Sequence, residues 1–202
     1  MPQQVSDIAE AVRLVRALVA QRPALAGDTR VIAIDGPSGA GKSTFAARLS
    51  TALGGDGRPA PVVRLDDVYP GWDGLEDGVR RVLMGVLEPL SRGQGATLRR
   101  HDWVLGVDGD CYDVPAAAVV LLEGCGAGAR MCSPFLSALV WVDAPQTARH
   151  DRAMARDGDA YRPHWRRWAA QEDAHFAREG TAARADLWLW NAADPADGST
   201  AG

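Results

Sequence analysis

Lysine is almost absent from this chain: of its 22 Lys and Arg residues, 21 are arginine and one, Lys42, is lysine. A codon bias toward arginine accounts for the general usage but not for the exception. Lys42 therefore marks a place where a compact ammonium on a flexible stem is needed and a planar guanidinium does not serve. Cysteine is scarce too. Cys111, Cys125 and Cys132 are odd in number and lack C-x-x-C spacing, which excludes a disulfide framework and a zinc site and leads us to expect reduced thiols in a cytoplasmic protein. No apolar run is long enough to span a membrane, and Arg13, Arg16 and Arg22 interrupt the opening stretch, so neither a signal peptide nor a membrane partner is expected. The net charge of −4 gives no electrostatic reason for a nucleic-acid partner. His150, His164 and His175 show no metal-ligand spacing and read as surface residues.

What is present is an alternation of short apolar runs with longer amphipathic segments. Val5, Ile8, Val12, Val15 and Val19 recur at helical spacing behind Ser6 and Asp7, predicting a helix over 5–21. Strands are predicted at 30–35, 62–66, 118–123, 136–143 and 186–191, and helices at 42–53, 75–90, 146–156 and 164–178. In the last of these, Trp165, Trp168, Ala169, Glu172 and Phe176 read as a packing face, with a ligand role for Trp165 as the weaker alternative. This order implies a three-layer α/β fold with a mainly parallel sheet covered on both faces. At 202 residues, with no linker, one domain over 1–193 is expected. Residues 194–202, rich in Ala, Asp, Gly, Ser and Pro, read as a disordered tail.

Directly after the first of these strands comes Gly36-Pro37-Ser38-Gly39-Ala40-Gly41-Lys42-Ser43, which matches G-x-x-x-x-G-K-[ST] at every fixed position and opens a helix. Such a loop wraps phosphates with inward-turned backbone N–H groups and the positive end of the helix. Gly36, Ser38, Gly39, Ala40, Gly41, Lys42, Ser43 and Thr44 are the candidate nucleotide-binding residues. Lys42 is assigned to the β- and γ-phosphates and Ser43 to Mg²⁺. With a single lysine the chain cannot build the N-K-x-D segment that reads guanine in switch GTPases, and it has no L-S-G-G-Q-like segment of transporter ATPases. A small kinase using Mg-ATP remains.

Three segments together resemble the uridine kinase and phosphoribulokinase family of P-loop small-molecule kinases: residues 34–44, then Leu65-Asp66-Asp67-Val68-Tyr69, then Leu121-Leu122-Glu123-Gly124. The resemblance runs in order from about Val31 to Arg162. It implies a P-loop nucleoside triphosphate hydrolase fold with a small lid, and transfer of the γ-phosphoryl group to a hydroxyl, with a nucleoside such as uridine or cytidine as first candidate. It further implies that Asp66, with Asp67 as the fallback, orients and deprotonates the acceptor and touches the metal. Glu123, ending four apolar residues at the carboxyl edge of a strand, reads as an acid that holds Mg²⁺.

The segment Arg99-Arg100-His101-Asp102-Trp103 resembles the family's acceptor-contacting stretch, with His101 where a tyrosine is usual. Tyr69, Trp72, His101, Asp102, Trp103 and Arg162 are thus candidate acceptor residues; the aromatics read equally as a stacking pocket or as packing. Arg149, Arg152 and Arg156 share a helix face. In family kinases a lid after this strand carries arginines onto the transferring group, which points to Arg152 and Arg156; a solvated face is the other reading. Three functions stay open: a nucleoside kinase, a kinase for a vitamin precursor, sugar or antibiotic, and a regulatory nucleotide-binding ATPase without acceptor. Oligomeric state is not legible.

Overall fold

A computed structural model describes residues 2–192. Its centre is a six-stranded parallel sheet in the order β1 (Gln3–Val5), β8 (Leu187–Trp190), β7 (Leu136–Asp143), β2 (Arg30–Asp35), β6 (Val119–Glu123), β3 (Val62–Arg64). β2 lies in the middle, paired with β6 from Arg30↔Val119 to Ile34↔Glu123 and with β7 on its other side. Every strand therefore ends at the same edge, where Asp35, Glu123 and Asp143 emerge. Alternate residues of β2 serve opposite faces, as the period of two requires. Ile32 and Ile34 pack with Val15, Val19, Phe45 and Leu49 of α1 (Ile8–Gln21) and α2 (Lys42–Leu53). Val31 and Ala33 pack on the other face with residues of α3 (Leu75–Val82), a π-turn at Leu83–Leu87, α4 (Glu88–Ser91) and α6 (Trp165–Glu179). The three layers expected from the alternation are present.

The differences from expectation have local causes. The first helix starts at Ile8, not at residue 5, because Asp7 caps it, its Oδ1 accepting the Glu10 N–H at 2.6 Å. Residues 3–5 instead add an edge strand beside β8. Only Val5 of that strand is buried, so the local pattern carried no strand signal. The strand expected over 62–66 stops at Arg64, and Leu65–Asp67 form a 3₁₀ turn. The helix expected over 75–90 contains the π-turn; Pro89 has no N–H to return to the preceding turn.

The antiparallel hairpin of β4 (Ala96–Asp102) and β5 (Val107–Val114) was not foreseen, since most of its side chains face solvent and give no alternation. The helix expected to end at residue 156 is α5 (Gln146–Tyr161), broken at Gly158, whose φ of 54° and ψ of −131° are not helical. It is followed by α6 and the short α7 (Thr181–Arg184). All three cysteines are free thiols. No helix among the described residues is long and apolar enough to cross a membrane. The tail assigned to residues 194–202 lies outside the described residues.

Phe45 is fully buried where α2 meets the sheet. Phe45→Ala is expected to lower the unfolding free energy by about 3–5 kcal/mol. Urea unfolding should show a lower midpoint with an unchanged slope.

Candidate active site

The phosphate loop is built around a buried carboxylate. Asp35, fully buried at the end of β2, accepts the N–H groups of Gly36 (2.7 Å), Gly126 (2.8 Å) and Gly128 (2.9 Å). Burial pushes its pKa up, opposed by these three amides and by Lys42. The one side chain thus ties the start of the loop to the turn after β6. Gly36 has φ 143°, and a Cβ there would sit 2.0 Å from the Val142 carbonyl oxygen. Gly39 has φ 77°, and a Cβ there would sit 2.0 Å from the Arg149 carbonyl oxygen. No other residue fits either position. Gly41 precedes α2 in a left-handed conformation, Ser43 and Thr44 lie in the first turn, and the Ala40 carbonyl accepts from Asn191 Nδ2 at 2.9 Å.

Lys42 is buried and folds back over the loop, its Nζ donating to the Pro37 carbonyl at 3.0 Å and lying 3.6 Å from Cys125 Sγ. Desolvation works against the ammonium, but Cys125, Glu172, Glu123 and Asp66 surround it and hold its pKa above the usual lysine value. Ser43 Oγ donates to Glu123 Oε1 at 3.1 Å, while the buried Glu123 Oε2 has no hydrogen-bond partner among the described residues and lies 3.8 Å from Arg64 Nε. Burial raises the Glu123 pKa, with the charge of Asp66 adding to it and Lys42 opposing. This carboxylate oxygen, with Arg64 Nε 3.8 Å away and a serine hydroxyl beside it, would suit a divalent cation. Among the described residues no group of three or more His, Cys, Asp and Glu side chains forms a metal cage. Mg²⁺ that arrives with phosphates needs none.

The remaining candidates divide. Asp66 is exposed, and its charge acts on Lys42, Glu123 and Arg156, so it belongs to the same site. Asp67 lies 3.8 Å from Arg100. Trp103 Nε1 donates to the Asp66 backbone oxygen at 2.9 Å, which docks the β4–β5 hairpin beside that carboxylate. His101 meets the Trp103 ring edge-on, and its buried Nδ1 has no hydrogen-bond partner.

Four expectations need correction. Tyr69 is a core residue: it is buried, packs edge-on against Trp168 and donates its hydroxyl to the Cys125 carbonyl at 2.7 Å. Trp72 does not offer an open stacking face, since His164 lies 4.4 Å from it at 11°, Tyr161 lies 5.3 Å from it at 15°, and Trp103 tilts against it at 4.7 Å. Asp102 spends Oδ1 on the hairpin turn, accepting the Val104 and Leu105 N–H groups at 2.9 Å. His175 is buried rather than superficial, with Nδ1 2.7 Å from Glu76 Oε1.

The arginines are tied down. Arg152 Nη1 donates to the Asn191 carbonyl at 3.2 Å. Arg156 forks onto Asp157, a bond that with the charge of Asp66 raises its pKa against desolvation, and Arg162 pairs with Asp159 at 3.4 Å.

Sequence reasoning missed Asp35 and Glu172 as site residues. Asp35 closes an apolar run and Glu172 stands one helical turn after Trp168 within a packing face. A carboxylate in an otherwise buried pattern was the available signal for both.

Solved structures similar to the chain include the following two. A possible uridine kinase from Bacillus stearothermophilus superposes with a TM-score of 0.65 at 21% identity, covering 90% of this chain and 98% of its own. A candidate fructose transport system kinase from Silicibacter sp. TM1040 superposes with a TM-score of 0.58 at 18% identity, covering 92% of this chain and 100% of its own. The chain has the P-loop nucleoside triphosphate hydrolase fold. No family model matches its sequence, and no curated protein does. What the P-loop fold supplies here is the strand–loop–helix at Asp35 to Lys42 with Glu123 on the adjacent strand.

Asp35→Asn turns one acceptor into a donor that faces a backbone N–H. It is expected to cost about 1–3 kcal/mol of stability. Thermal and urea unfolding would show it without any nucleotide present.

Proposed function

We propose that the chain is an ATP-dependent small-molecule kinase that moves the γ-phosphoryl group of Mg-ATP to a hydroxyl, with a nucleoside of the uridine or cytidine type as first acceptor. The observation that carries this reading is Asp66: an exposed carboxylate at the carboxyl edge of the sheet whose charge reaches Lys42 and Glu123. The loop amides and Lys42 reach phosphate without it, whereas an acceptor hydroxyl needs a carboxylate to orient it and take its proton.

In this reading the loop amides and Lys42 hold the phosphates, and Ser43, Glu123 and Asp66 would hold Mg²⁺, which supplies charge neutralisation on the transferring group. Asp66 orients the acceptor and takes its proton as the acceptor oxygen bonds to the γ-phosphorus and the bridge to ADP breaks. Arg152 and Arg156 leave their present partners to meet the charge spreading over the equatorial oxygens. His101, Trp103 and Trp72 wall the acceptor side; Asp102, Tyr69 and Arg162 support it indirectly. The name of the Bacillus neighbour supports a nucleoside acceptor, and free thiols at all three cysteines support a cytoplasmic reaction.

A second acceptor class, a sugar or other non-aromatic alcohol, is favoured by the Trp72 stack. Its ring faces are already covered by His164, Tyr161 and Trp103, which leaves little for a flat base to stack on. The name of the Silicibacter neighbour points the same way.

ADP release from Mg-ATP should rise above the acceptor-free rate with one member of a panel of nucleosides, pantothenate, sugars and aminoglycosides. Lys42→Ala should abolish that rise, and Asp66→Asn should lower the stimulated rate by about 10²–10⁴-fold. A slow hydrolysis unaffected by any acceptor or by Asp66→Asn would instead mark a regulatory ATPase.

A further inference from the structure

The middle of the phosphate loop is held by a side chain that no phosphate-loop pattern contains. Glu172, in α6, is 134 residues from Ser38 in sequence and only 3% exposed. Its Oε1 accepts the Ser38 N–H at 2.9 Å, the Ser38 hydroxyl at 2.6 Å, the Trp168 indole N–H at 2.8 Å and the Cys125 thiol at 2.8 Å. Trp168 Nε1 also lies 3.1 Å from Ser38 Oγ, so indole, hydroxyl and carboxylate close a ring. A buried carboxylate that gathers four donors orients them strongly, because hydrogen bonds to a charged group exceed neutral ones. Ser38 sits next to Pro37, whose carbonyl receives the Lys42 ammonium. Fixing Ser38 thus fixes the oxygen against which Lys42 is parked, as well as the direction of the loop amides.

We propose that Glu172 is a positioning residue for phosphate binding: by accepting both the amide and the hydroxyl of Ser38 it holds residues 36–41 in the conformation that receives phosphate, and it keeps that hold when phosphate is bound. The inference rests on reading residues 36–44 as a phosphate loop and is independent of the acceptor. It differs from a packing role, in which only the volume of the side chain matters. It differs also from a blocking role, in which the carboxylate stands in for phosphate and must leave.

The three roles separate with two substitutions of similar volume, Glu172→Gln, which keeps an acceptor oxygen, and Glu172→Met, which has none. Calorimetric titration with Mg-ADP and with tripolyphosphate, which has neither base nor sugar, is made below the melting transition of each protein. Positioning predicts that Gln stays within about threefold of the parent Kd for both probes, while Met weakens both by about ten- to a hundredfold. Equal affinity of the Met variant and the parent overturns the proposal in favour of packing. Tighter binding by either variant overturns it in favour of blocking.

The parent protein provides a second test that stands even if the Met variant does not fold. In the ¹⁵N spectrum of its tryptophan indoles, with Trp168 assigned through Trp168→Phe, the Trp168 N–H should remain protected from solvent exchange when tripolyphosphate is added. Loss of that protection means the carboxylate hub has opened and the proposal fails. A parent protein that binds neither probe overturns the phosphate-loop reading itself, an outcome distinct from any of these.

Discussion

A single buried carboxylate holds this fold's working edge together. Among the described residues Asp35 has no ion-pair partner in direct contact; what stabilises it is three backbone amides, one from the phosphate loop and two from the turn after β6. An unpaired buried charge is costly, and an amide cradle is one of few ways to offset that cost. The same bonds force two chain segments 90 residues apart into one rigid corner. Gly36, Gly126 and Gly128 are glycines in that corner, and a side chain at any of them would run into neighbouring atoms.

Upon this corner rests a crowded electrostatic arrangement. One ammonium, Lys42, faces Glu123, Glu172 and Asp66, and Arg64 Nε lies 3.8 Å from Glu123 Oε2. A phosphate chain is itself anionic, so the site is chemically complete only when cations arrive with it. Arg152 and Arg156 of α5 contact the Asn191 carbonyl and Asp157, and Arg162 after the helix pairs with Asp159, an exposed ion pair that is weak by itself.

Helix α6 joins the parts. Besides Glu172 on Ser38, its Gln171 donates to the Trp72 carbonyl at 2.6 Å, Arg167 pairs with Asp73, Arg178 and His175 meet Glu76, and Glu179 accepts the Arg130 N–H at 2.8 Å. The phosphate loop, the segment after Asp66 and the turn after β6 are therefore all gripped by one rigid element.

The strand–loop–helix around Lys42, the parallel alternation and the edge position of Glu123 were legible in the sequence, because each rests on local rules: apolar periodicity, glycine spacing and the one lysine; Asp66 was reached through the family resemblance. The edge strand at Gln3–Val5 was not legible, since its partner β8 lies far along the chain, and the β4–β5 hairpin was not, since few of its side chains are buried. Only the tertiary structure decided that Tyr69 belongs to the core, that the Trp72 faces are covered, and that Asp102 caps a turn. The same holds for Asp35 and Glu172. A carboxylate in a buried pattern is visible in a sequence, but whether it is satisfied by solvent, by an ion pair or by the amides of a loop 134 residues away depends on which groups the fold brings within hydrogen-bond reach.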